Sequence, residues 1–537
     1  DQRDAAQVIA NGGVASSIGA SPAAASNLVL NGTNLTYTGL TPATTDRGFT
    51  IAGANTTITN EVNLTFGGPV ATTAGNLTKS GAGTLTLSNP GANVISTVNQ
   101  GIRVVNGTLQ FEGSGTQTNT VAGEMWVSHT PDFPASVVVN GASLSVASWI
   151  AIGRGNGAVG NVCNFTVTNS TVSCVNFSTG FDNGLVGNNA TQNVTVTDST
   201  WNNTGVTYIA ESAGSTATMT LAGATTYNSG SNFLLSRNAT ANTTLNINAT
   251  SKVVHTGGYA SLGENGTAIV NLNNAGAYSS PADVNVGDVG TSNGTVNHNS
   301  SGTFAVGGVL FVGKGATTSG TFKQSSGVTN VGSWVSIARF VAVAPATGKA
   351  TGLLEVTGGT FNQTGTGQGF IVGEEGTGVL NILTAGTVNV AGNSGVLVSN
   401  NAAGDGTVNL DAGGTLVTKR VSSGASGAGV AAFNFDGGTL TAATGANADF
   451  FTGLDSAVVE DGGANINSNG NDIAINQSLT GDGGITKSGA GTLFLNGSCD
   501  NTGDTLVTAG TLGGTGALAG SVVVSSGANV NPGAPLG

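Results

Sequence analysis

Apolar and polar residues alternate along short segments throughout the middle of the chain. Examples are the segments FTVTN, VTVTD, LNINA and VNLDA, in which apolar residues recur at every second position. A period of two predicts β-strands with one buried face. Gly, Asn and Ser separate the segments, and these residues favour the positive φ angles and local hydrogen bonds of turns. The pattern therefore predicts an all-β chain of many short strands.

A three-residue theme recurs between these segments: an apolar residue, a small residue, and then a charged residue or Asn. The small residues are Gly153, Gly187, Ala210, Ser236, Gly263, Gly287, Gly313, Ala338, Gly373 and Ser399. Seven of the nine steps between them span 23 to 27 residues, and the two longer steps indicate loop insertions, one of them near 340–351. Self-similarity at a fixed period is the signature of a repeat architecture. We predict a right-handed parallel β-helix, or β-solenoid, with about 25 residues and three short strands in each coil.

The residue after each small residue carries most of the charge of this region. These residues are Arg154, Asn188, Glu211, Arg237, Glu264, Asp288, Lys314, Arg339, Glu374 and Asn400. Eight of the ten are charged, whereas charged residues make up 8% of the whole chain. Stacked coils place consecutive members about 4.8 Å apart. We predict a structural charge ladder with the pairs Glu211–Arg237, Arg237–Glu264, Asp288–Lys314 and Arg339–Glu374.

The predicted role of the ladder is to set the register of the coils. An exposed ion pair contributes only about 0–1 kcal/mol to stability. A strand that slips by one residue turns its apolar face outwards, so side chains that penalise slippage have a clear use.

Composition separates this chain from disordered and nucleic-acid-binding proteins. Apolar residues make up 38% of the chain and charged residues 8%, whereas disordered chains combine low hydrophobicity with high charge density. The net charge of −13 argues against a nucleic-acid partner, because phosphate binding needs a basic surface. The sequence contains no run of 18 apolar residues, so it predicts no transmembrane helix. The polar beginning, DQRDAAQVIANGG, is interpreted as a mature N-terminus left after processing.

The cysteines leave two interpretations open. Cys163 and Cys174 are close enough in sequence for a disulfide within one coil, and Cys499 would then be free or available to another chain. The alternative is that all three are small buried apolar residues. No CxxC pair occurs, so no zinc site is predicted.

Two blocks near the ends of the chain share the octapeptide TKSGAGTL, at 78–85 and 486–493. Each leads into a second motif, VVNGTLQFEG or VTAGTLGGTG. These motifs resemble the autotransporter-associated β-strand repeat, also called the passenger-associated transport repeat. The segments 28–51 and 433–454 resemble the sequence that commonly precedes that repeat in large bacterial surface proteins. The resemblance covers 28–113 and 433–537, and it implies an exported bacterial β-solenoid.

We divide the chain into four parts on this basis. Residues 1–27 are an N-terminal segment that forms a cap or an inter-subunit contact. Residues 28–130 form a β-solenoid with the autotransporter-type repeat, and residues 131–430 form the central β-solenoid of ~25-residue coils. Residues 431–537 form the C-terminal autotransporter-type coils.

Candidate chemistry is sparse in this sequence. No nucleophile elbow, HExxH motif or phosphate loop occurs, and no cofactor is predicted. Glu264 and Asp288 should stack on adjacent coils, which makes them a weak candidate for a Ca²⁺ site or for the carboxylate pair of a retaining glycosidase. The competing interpretation is a like-charge rung between Arg237 and Lys314.

The expected function is that of an extracellular structural protein on a bacterial cell surface. An open solenoid exposes strand edges, so the expected partner is the chain itself, joined end to end into filaments or a surface layer. One alternative is a monomeric adhesin or passenger stalk that contacts cell-surface glycans through a loop at 131–134 or near Phe340. The other alternative is a β-helix enzyme that degrades polysaccharides.

Overall fold

The strand pattern of the sequence is realised as parallel β-strands along the whole described chain. The computed structural model describes residues 9–97, 101–128, 134–154, 161–181, 188–340, 348–367, 369–424 and 429–533. Over these ranges it contains 55 strands and one 3-10 helix, Ala25–Asn27, and it contains no α-helix. The chain divides into two compact units, Asp1–Gly258 and Tyr259–Gly537, which we call unit 1 and unit 2.

The strands of unit 1 are β1 (Val29–Leu30), β2 (Asn34–Tyr37), β3 (Ala43–Thr45), β4 (Phe49–Ile51), β5 (Thr56–Asn60), β6 (Leu64–Phe66), β7 (Val70–Thr72), β8 (Leu77–Ser80), β9 (Thr84–Leu87), β10 (Ala92–Ser96), β11 (Ile102–Val104), β12 (Gly107–Val121), β13 (Met125–Val127), β14 (Ala135–Ile152), β15 (Val162–Thr168), β16 (Thr171–Thr179), β17 (Thr191–Thr197), β18 (Thr200–Asn203), β19 (Thr207–Ile209), β20 (Thr216–Ala222), β21 (Thr226–Ser229), β22 (Phe233–Leu235), β23 (Asn242–Ile247) and β24 (Lys252–His255).

The strands of unit 2 are β25 (Ala260–Leu262), β26 (Thr267–Asn274), β27 (Ala277–Ser280), β28 (Val284–Val286), β29 (Asn293–Ser300), β30 (Thr303–Val306), β31 (Leu310–Val312), β32 (Ser319–Gln324), β33 (Val328–Val331), β34 (Val335–Ile337), β35 (Thr351–Val356), β36 (Thr360–Gln363), β37 (Phe370–Val372), β38 (Thr377–Ile382), β39 (Thr387–Val390), β40 (Val396–Val398), β41 (Asp405–Asp411), β42 (Thr415–Thr418), β43 (Val421–Ser423), β44 (Ala431–Asp436), β45 (Thr439–Ala442), β46 (Asp449–Thr452), β47 (Ser456–Val459), β48 (Ala464–Asn467), β49 (Ile473–Ile475), β50 (Ile485–Ser488), β51 (Thr492–Leu495), β52 (Thr505–Val507), β53 (Thr511–Gly514), β54 (Val522–Val524) and β55 (Asn529–Pro532).

Strands pair with strands a fixed number of elements away, which is the connectivity of a stacked coil. In unit 1, β17 pairs with β20 and β20 with β23, in parallel and without a register shift. In unit 2 the same step of three links β26, β29, β32 and β35. Near the C-terminal side the step becomes two, as in β48–β50–β52, and one row of strands is reduced to the single bridges Leu479–Cys499–Leu518. The fold is a β-solenoid, which confirms the predicted class.

Alternation along the strands separates the core from the surface, as the sequence pattern predicted. In β17 the residues Gln192, Val194 and Val196 are buried, and their neighbours are partly exposed. Outward Asn side chains form ladders across the coils. In one of them Asn362 Nδ2 donates to Asn330 Oδ1, and Asn389 Nδ2 donates to Asn362 Oδ1, both at 2.9 Å.

The short strands depart from this alternation. We use this name for β13, β19, β22, β25, β28, β31, β34, β37 and β40, and for the last three residues of β14 and β16. In β22, β25, β28, β31, β34 and β37 all three residues are buried. A strand buried on both faces needs a cover over its outward, middle residue, and the turn that follows the short strand of the next coil supplies one.

Each short strand is followed by a residue with a left-handed backbone, which we call the corner residue. The corner residues include Ser128, Gly153, Gly180, Ala210, Ser236, Gly263, Gly287, Gly313, Ala338, Gly373 and Ser399, with φ between 53° and 94°. Left-handed φ disfavours bulky side chains, which explains the small residue of the repeated theme. We call the next residue the covering residue. Its backbone hydrogen-bonds to the preceding coil, as when the Asp288 N–H donates to the Gly263 carbonyl at 3.0 Å.

One predicted member of the theme is corrected by the structure. Gly187 lies outside the described residues, and the corner after β16 is Gly180, followed by Phe181 as the covering residue. Asn188 is instead a buried residue whose amide donates to the carbonyl of Gly153. The segment Val-Gly-Asn at 186–188 has the same order of residue types as the theme. The sequence analysis therefore assigned the corner of this coil to the inserted segment instead of to Gly180.

The octapeptide shared by the two blocks encloses a buried lysine. Lys79 Nζ donates to the carbonyls of Ser80, Gly81 and Asn106 at 2.7, 2.6 and 3.1 Å. Lys487 makes the corresponding three bonds in the second block. An ammonium group has three donors, so each lysine is fully satisfied by backbone oxygens of its own turn and of the next coil.

The described part of the N-terminal segment lies against the first coil through Arg47. This side chain is 1% exposed, and it donates to the carbonyls of Ala10, Asn11, Val14 and Gly19. Gly12 N–H donates to Asp46 Oδ1 at 2.7 Å. Residues 10–19 therefore cover the coil that contains β3.

Candidate functional site

The middle residue of a short strand and the covering residue of the next coil are matched in type. Where the middle residue is Ser, the covering residue is an acid whose carboxylate accepts a hydrogen bond from the Ser hydroxyl. The matched pairs are Ser178 with Glu211, Ser261 with Asp288, and Ser336 with Glu374. A hydroxyl donor to a carboxylate makes a charge-assisted hydrogen bond, so the acid is held over the strand.

Where the middle residue is aromatic, the covering residue is Arg. The Cζ atom of Arg154 lies 4.1 Å from the Trp126 ring centroid, that of Arg237 4.5 Å from Tyr208, and that of Arg339 4.7 Å from Phe311. A guanidinium over an aromatic face is a cation–π contact, which stabilises both groups by about 0.5–1 kcal/mol or more.

Covering residues of neighbouring coils also pair with each other by charge. Arg237 Nη1 lies 3.0 Å from Glu211 Oε1, Lys314 Nζ lies 2.9 Å from Asp288 Oδ1, and Arg339 Nε lies 4.0 Å from Glu374 Oε2. Burial raises the pKa of Glu211, and the hydroxyl of Ser178 and the charge of Arg237 counteract that rise. The predicted pair between Arg237 and Glu264 stays a prediction.

Asp288 is occupied in a way that does not suit a cation. Its Oδ2 accepts from Ser261 Oγ at 2.8 Å and from Asn285 Nδ2 at 2.9 Å, while Oδ1 faces the Lys314 ammonium. Glu264 lies on the preceding coil, where its carbonyl accepts from the Val289 N–H. Hydrogen-bond donors and an ammonium therefore occupy the positions that Ca²⁺ or a glycosidic oxygen would need. Among the residues that the structure describes, no three His, Cys, Asp or Glu side chains gather into a metal-binding group.

The structure also corrects the disulfide hypothesis. Cys163 and Cys174 are both buried free thiols, and so is Cys499. Cys174 Sγ lies 3.6 Å from Asn203 Oδ1 in the next coil, and burial raises the pKa of this thiol to about 12. Burial likewise raises the pKa of Cys163, whose neighbours are Ser128 and Ala135. The two sulfur atoms have different surroundings because they lie on consecutive strands, β15 and β16, of one coil.

Arginine and aromatic side chains collect on one part of unit 1. We call this set the arginine–aromatic cluster. Its members are Arg103, Glu124, Trp126, Trp149, Arg154, Phe181, Tyr208 and Arg237. Trp126 lies between Arg103 and Arg154, whose Cζ atoms are 4.7 and 4.1 Å from its ring centroid. Arg154 in turn lies 5.3 Å from the ring centroid of Phe181. Four side chains from successive coils are thus stacked in alternation.

Glu124 fixes this stack. Its Oε2 accepts from Arg154 Nη1 at 2.7 Å and from the indole Nε1 of Trp126. A salt bridge and a ring contact together hold Arg154 in one orientation. Burial and the nearby charge of Arg154 lower the pKa of Arg103.

A cavity of about 210 Å³ opens beside the stack. It is lined by Glu124, Trp149, Ala151, Arg154, Ser178 and Phe181. Trp149 and Phe181 are both half-buried, and the Trp149 ring lies 6.1 Å from the ring of Tyr208. The cavity therefore joins aromatic faces to a fixed carboxylate–guanidinium pair, which is the composition of a small-molecule binding site. A second, polar groove of about 280 Å³ lies along Ser170, Ser199 and Thr200.

The sequence analysis found Arg154, Glu211 and Arg237 but missed the aromatic half of the cluster. Trp126 and Tyr208 are middle residues of short strands, and Trp149 precedes the short strand at the end of β14. The available signal was the appearance of Trp and Tyr at positions where other coils carry Ser, Asn or Leu. The predicted binding loops at 131–134 and 340–351 fall largely outside the described residues.

No helix within the described ranges is both long enough and apolar enough to cross a membrane.

Comparison with known proteins gives one curated relative. The chain is 38% identical, over 193 residues, to the adhesin BmaC autotransporter of Brucella suis biovar 1 (strain 1330). The match covers 34% of this chain and 5% of that adhesin, so the chain spans a small part of its relative's length. No protein-family model matches the chain, and no solved structure matches it.

Proposed function

We propose that this chain is part of the exported passenger of an autotransporter-type adhesin, displayed on a bacterial cell surface. The observation that carries the proposal is the 38% identity to an autotransporter adhesin, on a chain that folds as a β-solenoid. The solenoid would serve as the stalk, and outward side chains on its coils would make the contacts to a target.

The cluster supports binding over catalysis as the task of this surface. Its carboxylate, Glu124, is held by Arg154 and Trp126, and the acid Glu211 is held by Ser178 and Arg237. A general acid or nucleophile must be free to exchange a proton or attack, whereas Glu124 Oε2 and both carboxylate oxygens of Glu211 already accept hydrogen bonds from their neighbours. The same engagement makes them a rigid platform for a ligand.

The comparison favours the adhesin over the filament hypothesis. A filament requires one copy of the chain to recognise another, and the relative's description as an adhesin does not include self-assembly. Electron microscopy of the purified chain separates the two. Isolated particles at high protein concentration agree with a stalk, and ordered fibres would restore the filament hypothesis.

Attachment of coated beads to cells tests the proposal directly. Beads coated with the purified chain are expected to attach to cultured epithelial cells several-fold more than beads coated with a β-solenoid enzyme of similar length. Equal attachment of the two bead types would contradict an adhesive role. Antibody labelling of intact bacteria that produce the chain tests its surface display, and labelling only after lysis would contradict export.

A further inference from the structure

We infer that the cavity of the arginine–aromatic cluster binds one sugar residue of an uncharged glycan. The inference rests on the proposed adhesive function and names the class of its ligand. Four observations support it: the two aromatic walls, the fixed polar pair that lines the same cavity, the local charge balance and the size of the cavity.

The aromatic walls suit the apolar face of a pyranose ring. Trp149 and Phe181 line the cavity and are half-buried, so part of each ring is available to a ligand. Sugars present C–H groups on one face of the ring, and an aromatic ring with its negative π face attracts such groups. The contact between Trp149 and Tyr208 keeps the indole in place before a ligand arrives.

The polar pair suits the hydroxyl groups at the ring edge. Arg154 offers several N–H donors in a fixed plane, and Glu124, whose Oε2 lies 2.7 Å from Arg154 Nη1, offers carboxylate acceptors. Adjacent sugar hydroxyls can donate to the carboxylate and accept from the guanidinium at the same time. Because Trp126 and Phe181 hold Arg154 from both sides, the pair loses little side-chain freedom on binding.

The charge balance favours an uncharged sugar over an acidic one. Of the residues that line the cavity, Arg154 is compensated by Glu124, and Ser178 is covered by Glu211, which is itself compensated by Arg237. An anionic sugar would have to displace one of these carboxylates, and it would approach a chain of net charge −13.

The size of the cavity limits the ligand to one ring. Its volume of about 210 Å³ is below the range of sites for drug-sized molecules, which begins at about 300 Å³. The inner wall is closed by Ala151 and Ser178, whose small side chains leave room between the coils. Longer glycans would therefore insert a terminal residue and leave the rest in solvent.

A glycan array tests the inference. The whole purified chain is applied to immobilised neutral oligosaccharides that end in glucose, galactose, mannose or N-acetylglucosamine, and to acidic ones that end in sialic acid. The wild-type chain is expected to bind at least one neutral group. Trp149→Ala should weaken this binding about tenfold or more, because tryptophan contacts dominate many binding sites. Arg154→Gln should weaken it as well.

Trp334→Ala is the matched control, because Trp334 is a 38% exposed tryptophan of unit 2 that does not line the cavity. It should bind like the wild type, and circular dichroism checks that every variant is folded. Equal binding by the wild type and by Trp149→Ala, binding confined to acidic glycans, or no binding to any glycan would each overturn the inference. If beads still attach to cells in the last case, the adhesive function stands with another class of ligand. If the array binds and the beads do not attach, the sugar site stands and the adhesive function fails.

Discussion

The covering residue Asp288 can stay charged in a buried position only because it has partners on the neighbouring coils. Asp288 has only 4% of its side chain exposed, yet it is charged, because Ser261, Asn285 and Lys314 together take both of its oxygens. A buried charge is tolerated only when it is paired and hydrogen-bonded. Lys323 and Glu355 form a pair at 3.6 Å, and their side chains are 49% and 24% exposed. Because water reaches both groups, neither charge needs the other to be tolerated.

Removing Asp288 should therefore cost far more than removing an acid from the exposed pair. Asp288→Ala leaves a buried hydroxyl, a buried amide and a partly buried ammonium without their acceptor, so we expect a loss of about 3–5 kcal/mol in the free energy of unfolding. Glu355→Ala should cost less than about 1 kcal/mol. Urea unfolding monitored by circular dichroism measures both, and similar losses would contradict the role assigned to Asp288.

The buried lysines predict a dependence of stability on pH. Burial lowers the pKa of Lys79 from 10.5 to about 8, and that of Lys487 likewise to about 8. Between pH 8 and 10.5 the unfolded chain therefore binds more protons than the folded chain. The free energy of unfolding should rise with pH across this window, by about 3 kcal/mol for each lysine, and this gain is lost as the pH falls from 10.5 to 8.

Lys79→Met isolates the contribution of one lysine. The variant should show a smaller rise of unfolding free energy between pH 8 and 10 than the wild type. Lys323→Met, which removes a surface lysine, should leave the rise unchanged. A wild-type stability that falls over the same window would contradict the assignment.

At the scale of elements, the strands and corners were predictable because they are encoded locally. Alternation gives the strands, and the small residue before a charged one gives the left-handed corner, so Ala210, Gly313 and Ala338 were identified from the sequence. The corner was assigned wrongly to Gly187 because the inserted segment there has the same order of residue types, apolar, small and then Asn, as the repeated theme.

The cluster was not predictable in the same way, because each contact joins two coils. Arg154 was found as a covering residue, but its partner Trp126 lies a coil earlier, and nothing within the sequence of β13 links the two residues. Glu124 lies outside the repeated theme altogether. Only the stacking register, which aligns Trp126 with Ala151 in β14, shows that these side chains meet.

Left-handed glycines that follow a strand differ in how tightly the neighbouring coil surrounds them, so the same Gly→Ala substitution should reduce stability by unequal amounts. Gly313 and Gly453 both have φ of 75°, but a Cβ atom on Gly313 would lie 2.1 Å from the Thr351 carbonyl oxygen, whereas Gly453 has no atom within 4 Å. Gly453→Ala should cost only the backbone term of about 1–2 kcal/mol. Gly313→Ala should cost clearly more, because two coils must separate. Thermal denaturation of the two variants measures the difference, and equal melting temperatures would contradict it.

At the scale of the whole molecule, each coil is stabilised mainly by its immediate neighbours, so stability should vary along the chain. The strands β31 and β34 have every residue buried, whereas every residue of β54 and β55 is exposed. Few buried contacts favour local opening. In hydrogen exchange followed by mass spectrometry, peptides from β54 and β55 should exchange much faster than peptides from β31 and β34. Uniform protection would mean that the chain unfolds only as one cooperative block.

The matching of middle and covering residues also restricts how a gene for such a chain can change its length. A recombination event that removes residues 288–373 joins Gly287 to Glu374, and the new acid then faces Ser261, as Asp288 does now. Removal of residues 314–373 instead sets Glu374 against Asp288, which brings two acids together. We expect the first deletion product to fold with a melting temperature near that of the parent and the second to melt at a lower temperature. Coils of this solenoid can therefore be removed or exchanged only where the new covering residue matches the middle residue that it meets. The length of the chain can evolve only through such changes.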